Sequence, residues 1–262
     1  MSSRYTSRRL YIYMKLGINY LVFSGEELLE YTISSIRKSV DFVSVTYQTT
    51  SYYGDSANPL PTLLQLQESK LIDKIFHFEP NLSLHPKHNE LESRNIGLKL
   101  SRDVGCSHHI SADVDELYEP AQLEYVKEAI KDHDSSIAYC NIYYKSPTFL
   151  VYPDQNMPIS FIHPVSNNYN KDVKTFPALI ERTRQLVNHF NCRIFTKNEI
   201  TIHHMSYVRK DIAKKLKNTS NSKFYKFTEN FDKYRVGDRV CLPPDFMNRR
   251  TILVENKFGI KL

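Results

Sequence analysis

His108-His-Ile-Ser-Ala-Asp-Val-Asp-Glu-Leu-Tyr118 is a short apolar run that ends on two carboxylates, Asp113 and Asp115. In an extended chain residues i and i+2 point to the same side, so the pair can present hard oxygen ligands together. Mg²⁺ or Mn²⁺ suits such ligands and completes its shell with water and substrate phosphates, which makes a diphosphate the natural partner. The D-x-D spelling alone is weak: with 14 aspartates in the chain, about 0.7 such pairs arise by chance. A second pair, Asp132-His133-Asp134, stands at the polar end of a helix pattern and reads as helix termination. Position separates the two.

Upstream, strand and helix patterns alternate. Leu16–Phe23 is an apolar run closed by Ser24-Gly25, with Ser24 as the expected cap of a helix that carries Glu26 and Glu27 in its first turn. Phe42–Tyr47 reads as a β-branched strand, Thr62–Lys70 as a helix, Lys74–Phe78 as a strand and His88–Arg102 as a helix. Cys106–Ser111 is the fourth strand and Glu119–Lys131 the helix after it. Four β-then-α units imply parallel strands with right-handed crossovers, a doubly wound sheet whose ligands bind beyond the strands' C-terminal ends. Asp113 and Asp115 are placed at such an end.

Downstream the pattern changes. Ile137–Tyr144, Ile159–Val165, Cys192–Thr196 and Thr201–Met205 are strand-like with few helices between them, and Arg209–Lys217 and Lys223–Tyr234 read as basic amphipathic helices. The expected organisation is a basic N-terminal arm over 1–15, an α/β half over 16–135, a mixed acceptor-side β region over 136–208 and a basic helical extension over 209–262.

Composition narrows the class. The chain has 262 residues, is 41% hydrophobic and 24% charged, and holds only 7 glycines. That excludes wholesale disorder, and neither G-x-G-x-x-G nor a P-loop occurs. The net charge of +6 is concentrated after residue 204, which points to a polyanion: a diphosphate, an anionic membrane surface or a nucleic acid. A solvated basic helix face is the plainer alternative. Cys106, Cys140, Cys192 and Cys241 are far apart and unclustered with histidine, as reduced packing residues of a cytoplasmic protein would be. No apolar run approaches the roughly 20 residues of a bilayer span.

Glu92-Ser-Arg-Asn-Ile-Gly97, a helix, a strand and then Ala112-Asp-Val-Asp-Glu116 together resemble the GT-A glycosyltransferases of the family-2-like group. The similarity covers residues 16 to about 120 in order and spacing. It implies the GT-A fold and a nucleotide-sugar donor, UDP-linked, with Mn²⁺ or Mg²⁺ as cofactor and a glycan, glycolipid or protein as acceptor. By that resemblance Asp115 holds the metal, and Asp113 touches ribose, sugar or metal. Arg94 and Asn95 contact the nucleotide or donor sugar, and Gly97 permits close helix packing. Phe23, Ser24 and Gln48 border the base, although strand one lacks the family's Pro-x-Tyr-Asn-type ending. Arg94 has a competing reading as a surface ion pair with Glu90.

His203 and His204 occupy the late position from which such enzymes complete the metal shell. Strand alternation lets only one of them reach the metal; His204 is preferred and His203 is the alternative. Arg209, Lys210 and Lys214 then fall where a departing nucleoside diphosphate would be stabilised. An inverting enzyme also needs a carboxylate base, for which Asp154 and Glu181 are the acceptor-side candidates. His108 and His109 read as core histidines, and His85 and His88 as surface ones. Tyr52-Tyr53 and Tyr143-Tyr144 could serve sugar stacking or strand packing. Two competitors remain. A metal-dependent nucleotidyltransferase is disfavoured by the acids after Gly25, and a nucleic-acid-binding module lacks any supporting motif.

Overall fold

The computed structural model describes residues 14–153, 157–219, 231, 233–241 and 248–262. Asp154, nearly all of the N-terminal arm and most of the helix expected over Lys223–Tyr234 lie outside them.

The first half alternates as read. Strand β1 (Leu16–Val22) leads through a 3₁₀ turn (Glu26–Leu28) into helix α1 (Leu29–Ile36), followed by β2 (Phe42–Tyr47), α2 (Leu60–Glu68), β3 (Lys74–His77), α3 (Pro86–Asp103) and β4 (His108–Asp113). A two-residue strand β5 (Glu116–Leu117) precedes α4 (Pro120–Ala129). After these come β6 (Ser135–Tyr144), β7 (Phe149–Tyr152), β8 (Met157–Ser160), β9 (His163–Pro164), a 3₁₀ turn (Arg182–Arg184), β10 (Cys192–Ile194), β11 (Thr201–Tyr207), α5 (Ile212–Asn218), β12 (Val240–Cys241) and β13 (Asn248–Leu253).

One sheet has the order β3-β2-β1-β4-β9. Its first four strands are parallel and β9 runs antiparallel to β4. The fold is therefore α/β, and this first sheet is mostly parallel. The second sheet, β12-β13-β7-β6-β11-β5, is mixed, with β8 and β10 also paired to β6. β1 is the centre of the first sheet and is covered on both faces, as its apolar run requires. The chain steps from β1 outward to β2 and β3, then returns to place β4 on β1's other side. That reversal opens a crevice at the strands' C-terminal ends, the usual ligand position in such sheets.

Helix α3 lies tightly on β1. A Cβ at Gly97 would sit 2.3 Å from Asn19 Cγ, and one at Gly17 would sit 2.4 Å from Ser101 Oγ. Those two hydrogen-only positions set the helix–sheet distance and so the reach of Arg94 toward the end of β4.

Four readings need correction. The extension over 209–262 is not helical throughout: β12 pairs with β13, and β13 adds to β7 of the second sheet. Ser24 does not cap: Gly25, in a left-handed conformation (φ 89°), is the N-cap of the 3₁₀ turn, with no side-chain cap bond. The strand expected over Ile159–Val165 is two strands, because Phe161 and Ile162 turn into the core while the chain crosses from β6 to β4. The helix expected from Arg209 starts at Ile212, since Asp211 caps it by accepting from Lys214 N at 2.8 Å. Arg209 thereby lies outside the helix, in the link between β11 and α5, from which its side chain reaches inward.

Candidate functional site

A cavity of about 630 Å³ opens at the β1/β4 reversal. The end of β1 contributes Phe23 and Ser24, the chain beyond β2 Gln48 and Tyr52, and the end of β4 Asp113 and Asp115. Helix α3 contributes Glu90 and Arg94, the irregular stretch after β9 contributes Glu181 and Arg184, and β11 with its continuation contributes His204, Arg209 and Lys215.

β11 determines which histidine arrives. It pairs antiparallel with β5, His204 opposite Glu116 and His203 opposite Leu117. Neighbouring strand residues face opposite ways. His204 Nε2 lies 3.4 Å from Asp115 Oδ1. His203 turns to the other face, where its Nδ1 meets Tyr143 OH at 2.8 Å and its Nε2 meets Glu119 Oε1 at 3.2 Å. His204, and not His203, therefore lines the cavity.

Asp115 is nearly buried, its side chain 3% exposed. Burial opposes its ionisation, but Arg209 and then His204 outweigh that and hold its pKa well below the carboxylate range. Arg209 Nη2 bonds Asp115 Oδ2 at 2.6 Å, while its Nη1 reaches Ser24 O at 3.3 Å. Lys215 Nζ stands 3.9 Å from the same Oδ2 and donates to Ser206 O at 2.7 Å. Burial, only partly offset by Asp115, pulls Lys215 down to about 8.

Asp113 is held differently. Arg94 Nη2 contacts its Oδ1 at 3.1 Å and Arg184 Nη2 its Oδ2 at 2.9 Å. Burial is again outweighed, by Arg184 and then Arg94, and its pKa is lowered. Both oxygens of Asp113 are thus engaged by guanidinium groups. Among the described residues no three His, Cys, Asp or Glu side chains are placed to hold a metal together.

Arg94 is an ion-pair residue, but a buried one. Its side chain is 1% exposed and binds Glu90 Oε1 at 2.8 Å as well as Asp113, so the surface reading is corrected. Glu90 and Glu181 share Lys87, and Glu181 also lies 3.6 Å from Arg94. Burial and the charge of Glu90 push the Glu181 pKa up.

Other expected contacts fall elsewhere. Asn95 hydrogen-bonds the backbone of Tyr169 in both directions, at 3.1 and 3.2 Å, and does not line the cavity. Lys210 is exposed and does not line the cavity; its backbone N–H donates to Glu27. Lys214 Nζ sits 5.8 Å over the Phe23 ring. Tyr143 and Tyr144 are packing residues, Tyr144 against Tyr207, Phe231 and Tyr234. Of the tyrosine pairs only Tyr52 lines the cavity. His109 is fully buried, as a core histidine would be, and His85 and His88 are exposed.

Sequence reasoning missed Arg184 and gave Glu116 no role. Glu116 follows the D-x-D directly, which was the available signal. It is fully buried and pairs with Arg184 at 2.6 Å.

No family model and no curated protein matches the chain. Among solved structures it is similar to Staphylococcus aureus TarS 1–349, at 12% identity and a TM-score of 0.41, over 80% of this chain and 71% of that one. A complex of TarS 1–349 with UDP gives 9% identity and a TM-score of 0.39, over 84% and 75%. Glucosyl-3-phosphoglycerate synthase from Mycobacterium tuberculosis, in complex with Mg²⁺ and UDP, gives 12% identity and a TM-score of 0.33, over 49% and 44%. Likeness at this level carries nothing about the chemistry, which rests on the residues above.

Proposed function

We propose that the chain is a GT-A-type glycosyltransferase that moves a sugar from a UDP-linked donor to a hydroxyl of a glycan, glycolipid or protein. One observation carries the reading: at the sheet's reversal point, Asp115 and His204 share a cavity wall with Arg209 and Lys215. Cation-binding and anion-binding groups thus stand side by side, as a metal–diphosphate ligand requires.

The donor set fits a divalent cation. Two neighbouring ligands of one octahedral ion with bonds of about 2.1 Å lie roughly 3.0 Å apart, and Asp115 Oδ1 and His204 Nε2, at 3.4 Å, need to approach by only about 0.4 Å. Mg²⁺ or Mn²⁺ would be held by these two residues, with diphosphate oxygens and water as its other ligands. Such an ion supplies neutralisation of the charge that builds on a leaving diphosphate.

The chain's own groups account for the rest. Phe23 and Gln48 border the base. Asp113, fixed by two guanidinium groups and partly open to the cavity, accepts hydroxyls of the ribose or donor sugar. Arg209 and Lys215 stabilise the departing diphosphate. Glu181, at the acceptor side, takes the proton of the attacking hydroxyl, and its raised pKa makes it a better base at that step than an ordinary surface carboxylate.

The test is donor hydrolysis. UDP-glucose, UDP-galactose and UDP-xylose are incubated with the protein in Mn²⁺ or in EDTA, and released UDP is measured. Slow release in Mn²⁺ that stops in EDTA and in Asp115→Asn is expected. Release from no donor, or equal release by the variant, rejects the proposal.

A further inference from the structure

We infer that Arg209 is the resident counter-ion of Asp115 and changes partner when donor binds, leaving the carboxylate to the divalent cation and turning to the diphosphate. The inference rests on the donor-binding reading above and concerns how the free site is kept.

The first argument is charge. Among the described residues every carboxylate bordering the cavity already faces a cation: Glu90 and Glu181 face Lys87 and Arg94, Asp113 and Glu116 face Arg184, and Asp115 faces Arg209. These groups leave no surplus negative charge to draw in a bare dication. An ion at Asp115 would also confront the guanidinium bonded to that carboxylate, in a water-poor environment where like charges repel far more than in bulk. A diphosphate supplies the missing anion.

The second argument is the unused capacity of Arg209. Its Nε is buried with no hydrogen-bond partner among the described residues, and its Nη1 bond to Ser24 O is long, at 3.3 Å. A planar fork with a donor to spare matches phosphate oxygens.

The third is the seat. Gly25 has φ 89°, and a Cβ there would lie 1.1 Å from Arg209 Nη1. The guanidinium fills the space a side chain would take, at the turn that ends β1 and beside the path of any diphosphate in the cavity. Lys215, anchored by Ser206 Oγ at 2.6 Å, stays behind as the fixed cation.

The experiment titrates Mn²⁺ alone, UDP alone in EDTA, and each in the presence of the other, by calorimetry on the full chain. Wild type should bind Mn²⁺ alone weakly, and UDP and Mn²⁺ should each tighten the other by the same factor, about tenfold or more. Arg209→Ala should tighten Mn²⁺ alone about tenfold and weaken UDP alone about tenfold. Gly25→Ala, which evicts the guanidinium, should move both constants the same way. A variant that merely misfolds loses both ligands, and melting curves identify it. Arg209→Ala and Gly25→Ala that stay folded yet leave Mn²⁺ affinity unchanged or weaker overturn the exchange. Wild type that binds no UDP under any condition rejects the donor reading instead.

Discussion

Arg94 Nη2 and Asp113 Oδ1 meet at 3.1 Å, joining the middle of α3 to the last residue of β4. The same guanidinium holds Glu90, Ser111 and Thr183, so one side chain ties helix, strand and the irregular acceptor-side stretch together. We expect Arg94→Ala to destabilise the fold by about 3 kcal/mol, because two carboxylates, the buried Glu90 and the partly exposed Asp113, each lose one of their cations. Arg94→Lys should recover little, since a single ammonium cannot reproduce the fork. Chemical denaturation of the three proteins checks both; a shift under about 0.5 kcal/mol for Arg94→Ala would contradict the role, being the size of an ordinary surface change.

The two neighbouring histidines should separate cleanly. His203→Ala removes the contacts to Tyr143 and Glu119 and should lower the melting temperature with little effect on UDP binding in Mn²⁺. His204→Ala should weaken that binding with little effect on melting. The reverse pattern, measured by thermal shift and calorimetry, would mean that the strand's facing has been misassigned.

Stability should fall on mild acidification. Burial keeps His163 neutral, with its pKa lowered to about 4, and holds His109 well below the usual value. A base whose folded pKa is depressed binds fewer protons folded than unfolded, so its neutral state supports the fold fully above pH 6.5. That support is lost as pH falls toward about 4. The melting temperature should therefore be flat from pH 7 to 8 and drop between 6.5 and 4, and His163→Gln should reduce the slope. A flat profile in the variant and wild type alike would contradict this.

The parallel half was legible because its signals are local. Leu16–Val22 and Phe42–Tyr47 are apolar, β-rich runs closed by polar residues, and Asp113 and Asp115 fall at the end of β4 on the cavity wall. Strand alternation also required that only one of His203 and His204 face the cavity, and it is His204 that lines it. Arg184 was not legible. It sits in a stretch without periodicity, and its partners Ser111 and Glu116 lie 73 and 68 residues away in sequence. Asn95 was misplaced for a related reason: its position in the Arg-Asn-x-Gly helix gave no sign that Tyr169, 74 residues later, would satisfy both ends of its amide. The Arg209 seat depends on Gly25, 184 positions earlier, whose left-handed conformation is seen only in the folded chain.

Calorimetric titration of UDP, in Mn²⁺, into wild type and Asp115→Ala tests the account most directly. Saturable binding by wild type that the variant loses is the expected outcome. No binding by wild type, or equal affinity in the variant, would show that Asp115 and its cavity serve some other purpose.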